Sequence, residues 1–299
     1  MGILKKAVRF IGPVLLIVIF IKFVDITLLA STLSSASGLY IFLSYLSTML
    51  LYGVKMLRIH LPLKKSGVII QPFYFTKIYV SSRLAGWISN ALLSDILNAG
   101  ILMADQEKKM RITSIFILNR IADTVATSLL FGVVLFMNIV LMKSFINVNY
   151  NRAFAMIIAM LAALLLVVAL WRRLRAYVHD LLTAGREFSA ETVTLTILTV
   201  FCSVLSVYWN AVALQIEIPT GFLLLCYTIG IGITVLPISF SGIGTREMAF
   251  VFLMNLVGIR SEKAIALSFF EFIFIPLLSL GTLYMISLIG VRYEDRNNN

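Results

Sequence analysis

The chain has 299 residues, of which 60% are hydrophobic, a formal net charge of +11 and a mean hydropathy of +0.99. Soluble globular chains have about 45–50% apolar residues, so this composition excludes a soluble protein, and the longest hydrophilic stretch, 172–191, is far below the ~50 residues of an independent fold. The positive charge does not indicate nucleic-acid binding, because Lys and Arg lie mainly in short loops between apolar segments, as in membrane proteins.

Apolar runs long enough to cross a bilayer, about 20 residues each, predict six full spans: 8–30, 38–57, 113–142, 152–171, 191–214 and 264–290. The first run has a basic start but is longer than the apolar part of a signal peptide, so we expect it to be retained as a span. Two further regions, 71–103 and 219–258, are interrupted by polar residues and are predicted to be broken or re-entrant helices. We therefore expect an all-α polytopic membrane bundle, with a single membrane domain over 1–291 and a polar tail over 292–299.

The distribution of basic residues predicts the topology. Cytoplasmic loops of membrane proteins are enriched in Lys and Arg, and such residues cluster here at 5–9, 55–65, 108–111, 172–186 and 292–296. All five clusters are cytoplasmic if both termini are inside, if 71–103 enters and leaves from the cytoplasmic face, and if 219–258 does so from the opposite face. The predicted location is the cytoplasmic (inner) membrane of the cell.

Ionisable side chains inside the spans are the first candidates for function, because charge at membrane depth is costly and usually faces a cavity or a partner. Arg120 and Asp123 are three residues apart near the start of one span, so they share a helix face and are expected to pair. The alternative is an interfacial ion pair that only anchors the helix. Glu271, followed by the helix-bending Pro276, lies in the last span. It is a candidate for binding a proton or a headgroup, or is a structural buried acid.

The region 236–247 (LPISFSGIGTRE) predicts a helix that begins inside the membrane. A proline ends the preceding helix, the glycines allow unusual backbone angles, and Thr245 is expected to cap the next helix. The free N–H groups of that helix and Arg246 would attract an anion such as a lipid phosphate, and Glu247 would balance Arg246 or contact a cationic headgroup. The candidate residues here are Ser239, Ser241, Gly242, Gly244, Thr245, Arg246 and Glu247.

The first broken region contributes a second polar patch, formed by Ser94, Asp95 and Asn98 with Arg83 upstream. An interfacial surface is the plain alternative. Both cysteines lie in apolar segments, and no cluster of side chains has the spacing of metal ligands. A phosphate-binding Walker loop and a serine-hydrolase elbow are also missing. We therefore expect no metal, no cofactor and no enzymatic activity.

With these motifs in place, the chain resembles the transmembrane region of lysylphosphatidylglycerol synthases, a flippase-like membrane family. The resemblance is carried by 236–247 and by Asn119-Arg-Ile-Ala-Asp123, with Ser94-Asp95 like the end of the family's first polar loop. Two positions depart from the family pattern: Ser241 stands where glycine is usual, and Asn98 where an arginine is frequent. The second departure bears on which headgroup is bound.

The resemblance implies a protein that moves or presents aminoacylated or other anionic or lipid-linked substrates between leaflets. Its expected partners are membrane lipids and a lipid-modifying enzyme. The aminoacyl transfer of the full-length synthases belongs to a separate cytoplasmic domain, which the loops of this chain are too short to contain. Two alternatives stay open: a non-transporting scaffold of a lipid-modifying enzyme or glycosyltransferase, and an intramembrane transferase that uses a lipid-linked donor, with Asp95 or Asp123 as base.

Overall fold

The computed structural model of the chain describes residues 26–88, 91–103, 109–141, 190–235 and 244–297. Across these ranges the regular structure is helical, without strands, as the composition predicts. In chain order the helices are α1 (Ile26–Ser34), α2 (Gly38–Lys65), α3 (Pro72–Ile88), α4 (Ala91–Met103), α5 (Lys109–Leu141), α6 (Ala190–Ala213), α7 (Thr220–Val235), α8 (Thr245–Asn255), α9 (Ser261–Phe269), a π-helical turn (Phe270–Phe274) and α10 (Ile275–Asn297).

Four helices of the described ranges are long and apolar enough to cross a membrane: Gly38–Lys65, Arg111–Asn138, Ala190–Ala213 and Ser261–Gly290. They lie where the sequence predicts spans. Of the two other predicted spans, 152–171 lies outside the described residues, and 8–30 does so except for its last residues, which belong to α1. The multi-pass character is therefore confirmed, while the number of spans and the sides of the termini stay predictions.

Helix α2 is longer than predicted, because it continues past residue 57 to Lys65. The predicted apolar run ends before Arg58. This side chain is almost fully buried and ion-paired, so the helix does not have to end there. Lys64 and Lys65 then occupy the last turn, where positive charge stabilises the helix dipole.

Helices α2 and α6 pack against each other as a long antiparallel pair. At one end, the Ser37 N–H donates to the Ala213 carbonyl at 3.0 Å. At the other end, Lys65 Nζ lies 2.6 Å from Glu191 Oε2. These contacts define two ends of the bundle, the Ser37 end and the Lys65 end.

The facing surfaces of α2 and α6 carry polar side chains at every third or fourth residue, which is one helix face. On α6 they are Thr192, Thr196, Thr199, Ser203, Ser206 and Asn210, and on α2 they are Ser44, Thr48, Tyr52, Lys55 and Arg58. Direct contacts join the two rows, such as Thr48 to Ser206 at 3.0 Å and Arg58 to Thr196 at 3.2 Å. We call these two rows the polar seam.

Both regions predicted to be broken are pairs of short helices that pack on each other, α3 with α4 and α7 with α8. The α7–α8 pair starts near the Ser37 end, because α7 follows closely on Ala213, which bonds to Ser37. It also finishes there, since Lys263 at the start of α9 donates to the Gln215 carbonyl at 2.7 Å. The α3–α4 pair starts near the opposite end of the bundle, where Phe73 lies against Gly290. The two pairs thus start at opposite ends of the bundle; whether each enters and leaves the bilayer from one face stays a prediction.

The last span contains a π-helical turn directly before Pro276. The Ile275 N–H donates to the Phe270 carbonyl, five residues back, in place of the usual four. Proline breaks the regular series of backbone hydrogen bonds of a helix, because it lacks an N–H. A π-helical turn accommodates such a break. The helix then continues to Asn297, into the region that we expected to be an unstructured polar tail.

The buried apolar residues form two clusters that support the two polar regions described below. One joins α6, α7, α8 and α9 through residues such as Val207, Phe222, Phe250 and Leu267. The other joins α2, α3, α4, α5 and α10 through residues such as Ile59, Phe75, Leu102, Ile112 and Leu280. Large apolar side chains on the outside, including Leu129 and Phe136 of α5, are exposed as in a lipid-facing surface.

Candidate functional site

The first polar region centres on Arg58, a residue that the sequence analysis did not select. Its guanidinium lies 2.6 Å from Asp123 Oδ1, and it also donates to Thr196 Oγ1 at 3.2 Å. Arg58 is 1% exposed as a residue, whereas the Asp123 side chain is 23% exposed. The pair joins α2, α5 and α6, so these three helices position it together.

Asp95 forms the second ion pair of this region. Its Oδ1 atom lies 3.1 Å from Arg83 and its Oδ2 atom lies 3.7 Å from Arg120. The expected pairing of Arg120 with Asp123 is therefore wrong: each of the two residues faces a partner on another helix. The reason is geometric, since Arg58 of α2 and Asp95 of α4 lie within ion-pair distance of these two side chains and provide partners on other helices.

Lys55 completes this region, which we call the basic cluster: Lys55, Arg58, Arg83, Asp95, Arg120 and Asp123. Lys55 lies one turn before Arg58 on the same face of α2. The cluster thus contains four cationic side chains and two carboxylates among the described residues. Arg83 also lies over the ring of Tyr79, 5.1 Å from its centroid.

Several buried polar atoms beside the basic cluster have no hydrogen-bond partner among the described residues. They include the Nε atoms of Arg58 and Arg83, Ser94 Oγ, both amide atoms of Asn98 and Asn119 Oδ1. Ser94 and Asn98 flank Asp95 on α4 and are 1% and 0% exposed. Buried polar groups are normally satisfied, so this patch indicates a place for a polar ligand. The structure therefore brings together five of the predicted site residues: Arg83, Asp95, Asn98, Arg120 and Asp123.

The second polar region surrounds Glu271, in the π-helical turn. Glu271 Oε2 accepts hydrogen bonds from Asn210 Nδ2 at 2.7 Å and from the Ser206 hydroxyl at 3.0 Å. A serine hydroxyl has a single proton. Since that proton goes to Glu271, the Thr48 hydroxyl donates to Ser206, and the bonds run from α2 through α6 to the last span.

Glu247 organises the start of α8. Its Oε2 atom accepts the Gly244 N–H at 2.6 Å, and its Oε1 atom accepts from Arg246 at 2.9 Å and from Ser268 at 3.3 Å. The expected cap, Thr245, is wrong, because Thr245 is the first helical residue and Glu247 instead folds back on the helix start. Gly244 has φ of 85°, a conformation that favours glycine.

Arg246 lies between its neighbour Glu247 and an aromatic ring. Adjacent residues of a helix do not normally face each other, and the pair forms here because Glu247 turns back. The guanidinium also lies 4.1 Å from the ring centroid of Phe272, a cation–π contact. A phosphate at the α8 start would therefore compete with Glu247 both for Arg246 and for the Gly244 N–H. Arg246, Glu247 and Glu271, with their hydrogen-bonded partners, are called the acidic cluster below.

The predicted candidates Ser239, Ser241 and Gly242 lie outside the described residues. The described ranges hold no group of three or more His, Cys, Asp or Glu side chains that could bind a metal ion. The sequence did not identify Lys55 and Arg58 as site residues, because they belong to the run 55–65 that was predicted to be a cytoplasmic loop. It also did not identify the hydroxyl and amide groups of the seam. The signal that could have found the seam is the spacing of Thr192, Thr196, Thr199, Ser203, Ser206 and Asn210.

The comparisons with known proteins agree with the resemblance noted in the sequence. No curated protein and no solved structure matches the chain significantly. Residues 7–281, which are most of the chain, match a family model, and the chain therefore belongs to the family described as the lysylphosphatidylglycerol synthase TM region.

Proposed function

We propose that this membrane protein translocates or presents a lipid with an anionic or lipid-linked headgroup between the two leaflets. The observation that carries the proposal is the polar seam with a charged cluster at each of two levels. From Ser44 to Arg58 the seam rises by 14 residue steps along α2, or about 21 Å at 1.5 Å per step. This is a large part of a hydrocarbon core about 30 Å thick.

The plain alternative for the seam is helix packing, because hydroxyl side chains commonly join membrane helices. Several seam hydroxyls do bond to their own helix, for example Thr196 to the Thr192 carbonyl at 2.7 Å. Packing alone does not require Lys55, Arg58 and Glu271 on the same inner faces, however, since charges at this depth are costly. Their presence supports a path for a polar headgroup.

Leaflet exchange of fluorescent lipids in reconstituted vesicles tests the proposal. We expect faster exchange than in protein-free vesicles for at least one anionic lipid. Thr196→Val removes the hydroxyl that accepts from Arg58 and is expected to slow exchange by up to about tenfold. Thr194→Val is the matched control, because Thr194 is exposed on the same helix and bonds to the Ala190 carbonyl of its own helix at 3.0 Å.

Two results would contradict the proposal. In the first, exchange equals that of empty vesicles for all anionic, aminoacylated and lipid-linked substrates tried. In the second, Thr196→Val and Thr194→Val slow exchange equally, which would make the seam a packing surface only.

A scaffold for a lipid-modifying enzyme or glycosyltransferase is the second candidate function. It is favoured by the closed Arg246–Glu247 pair, whose hydrogen-bond partners include Gly244 and Ser268 of the same chain. If this pair is only structural, Arg246→Ala lowers the amount of folded protein without changing exchange per molecule. Under either function we propose that the chain itself performs no covalent chemistry.

The proposed location is the cytoplasmic membrane with both termini inside. The Lys65–Glu191 pair supports this, because it brings the basic last turn of α2, with Lys64 and Lys65, and the start of α6 to the same end of the bundle. Fusion of a cytoplasm-dependent fluorescent reporter to each terminus tests it. Fluorescence from both fusions is expected, and a dark fusion at either terminus would contradict this topology.

A further inference from the structure

The unpartnered polar atoms at the basic cluster are of both kinds, hydrogen-bond donors and acceptors. Among the described residues they include three donors, three acceptors and one hydroxyl: Arg58 Nε, Arg83 Nε, Asn98 Nδ2, Asp95 Oδ1, Asn98 Oδ1, Asn119 Oδ1 and Ser94 Oγ. Asp95 Oδ1 lies within ion-pair distance of Arg83 but accepts no hydrogen bond. Because buried polar groups are normally hydrogen-bonded, a ligand that fits this set has to donate and to accept.

Helix α4 presents three of these side chains on one face. Ser94 and Asn98 are four residues apart and Asp95 is three residues before Asn98, so the three lie on the same side of the helix. Asp95 contacts Arg83 of α3 and Arg120 of α5, so this face is turned toward both neighbouring helices. The unpartnered atoms of α4 therefore lie on the face that carries the ion pairs of the basic cluster.

A ligand group that only accepts or only donates would leave part of the set unsatisfied. Phosphodiester oxygens accept but do not donate, so the oxygens of Asp95, Asn98 and Asn119 would gain no partner from them. An ammonium group donates but does not accept, so the arginine Nε atoms and the Asn98 nitrogen would gain none. A hydroxyl group does both. Two hydroxyls on adjacent carbons match the side-chain amide of Asn98, whose nitrogen donates while its oxygen accepts.

From this arrangement we propose that the basic cluster binds a lipid headgroup with hydroxyls on adjacent carbons, namely a polyol or a sugar headgroup. The inference rests on the proposed function for the lipid and specifies what the site recognises in its headgroup. The arginines can bind a phosphate as well as a hydroxyl, whereas the amides of Asn98 and Asn119 provide the selection for hydroxyls.

The cluster is accessible from the side of α5. The side chains of Arg120 and Asp123 are 33% and 23% exposed, whereas Arg58 has no exposed side-chain surface. A headgroup would meet Arg120 and Asp123 first. It would then reach the buried polar atoms of Ser94 and Asn98.

Binding of matched lipids to the purified full chain in detergent, measured by native mass spectrometry, tests the inference. Phosphatidylglycerol and phosphatidylethanol are both monoanionic phosphodiesters, but only the first has adjacent hydroxyls. Glucosyl diacylglycerol and diacylglycerol form the uncharged pair. In each pair we expect the hydroxylated lipid to have a dissociation constant at least about tenfold lower, the gain of roughly one or two hydrogen bonds. Free glucose and glycerol 1-phosphate should compete only at much higher concentration, because they lack acyl chains.

Two asparagine variants locate the effect. Asn98→Leu should abolish the preference within each pair without lowering the SDS midpoint of unfolding, because an apolar group then replaces an unsatisfied buried amide. Asn138→Leu is the matched control, since Asn138 is buried but donates to the Val134 and Gly221 carbonyls at 2.7 and 2.8 Å. It should lower the midpoint and keep the preference. Ser94→Ala, a milder second variant, should reduce the preference in part.

Each other outcome has a defined meaning. Equal affinities within the pairs would show that water satisfies these atoms and would overturn the inference. Tighter binding of lysyl-phosphatidylglycerol than of phosphatidylglycerol would overturn it in favour of an amine site. Free glucose or glycerol 1-phosphate that competes as strongly as the lipids would replace the lipid by a free polyol.

The failure of this inference is distinguishable from the failure of the proposed function. A preference for hydroxylated lipids without leaflet exchange of any lipid would leave the inference intact and overturn translocation. Leaflet exchange that is equally fast for both members of each pair, together with equal affinities, would leave translocation intact and overturn the inference.

Discussion

Replacing Gly230 by alanine tests how closely α7 and α8 pack beneath the acidic cluster. A Cβ at this position would lie 2.5 Å from Phe250 Cε2 and 3.4 Å from Phe272 Cζ. Phe250 is fully buried, so its ring has little room to move away. The centroids of the Phe250 and Phe272 rings are 5.7 Å apart in an edge-on arrangement, and the guanidinium of Arg246 lies over the Phe272 ring.

The expected magnitude follows from two opposing terms. An added methyl group in a packed core costs about 1–3 kcal/mol, whereas alanine in place of glycine in a helix gains up to about 1 kcal/mol. Gly232 lies on the same helix with no atom within 4 Å of an added Cβ, so Gly232→Ala keeps only the gain. The two variants should therefore differ by about 1–3 kcal/mol in the free energy of unfolding.

Equilibrium unfolding of the purified protein in mixed micelles of a mild detergent and SDS measures this difference. Gly230→Ala is expected to unfold at a lower SDS fraction than Gly232→Ala. Adding Phe250→Leu to Gly230→Ala provides space and should recover part of the loss. Equal unfolding of the two glycine variants would refute the close approach of α7 and α8, as would a double variant that is less stable than Gly230→Ala alone.

Two further predictions concern helix packing and the buried ion pair. Gly290→Ala should lower the SDS midpoint by the equivalent of about 1–3 kcal/mol, because its Cβ would overlap the Phe73 ring. Gly281→Ala, with open space around it, is the control, and equal midpoints would contradict the contact. Arg58→Met should lower the free energy of unfolding by about 3–5 kcal/mol, because it leaves Asp123 without its guanidinium. Adding Asp123→Asn should recover part of this loss in the same assay. A double variant no more stable than Arg58→Met would show that the pair contributes little.

The helical class and most span positions could be predicted because they depend on local properties. Length and apolarity of a run determine whether a helix fits a bilayer, and both are visible in the sequence. The break near Gly244 was also predictable from a local property, because the positive φ at this position favours glycine. The extension of α2 to Lys65 was missed because a hydropathy criterion ends a span where charged residues accumulate, and it does not register that Arg58 is buried and paired with Asp123.

The partners of the charged residues could not be predicted, because they depend on how helices are rotated against each other. Spacing places Arg120 and Asp123 on one face but does not show that Asp95 and Arg58 lie nearer. The same holds for Glu247. Its side chain folds back and accepts a hydrogen bond from the Gly244 N–H, and the sequence does not show whether it binds this local group or a residue of another helix. Sequence spacing thus identifies ionisable residues at depth but not the pairs they form.

The polar seam links the two clusters in steps that a headgroup could follow. Successive seam residues are three or four positions apart, which corresponds to about one helical turn, or 5.4 Å. A headgroup that leaves Arg58 would therefore find Lys55 within one turn and Tyr52 within two. On α2, Tyr52 lies one turn from Lys55 on one side and one turn from Thr48, which bonds to Ser206 of α6, on the other. Polar atoms beside the basic cluster lack a partner among the described residues, whereas the carboxylates of the acidic cluster are hydrogen-bonded. We therefore propose that initial binding occurs at the basic cluster and that Glu271 with its Ser206 and Asn210 donors acts in the later part of the path.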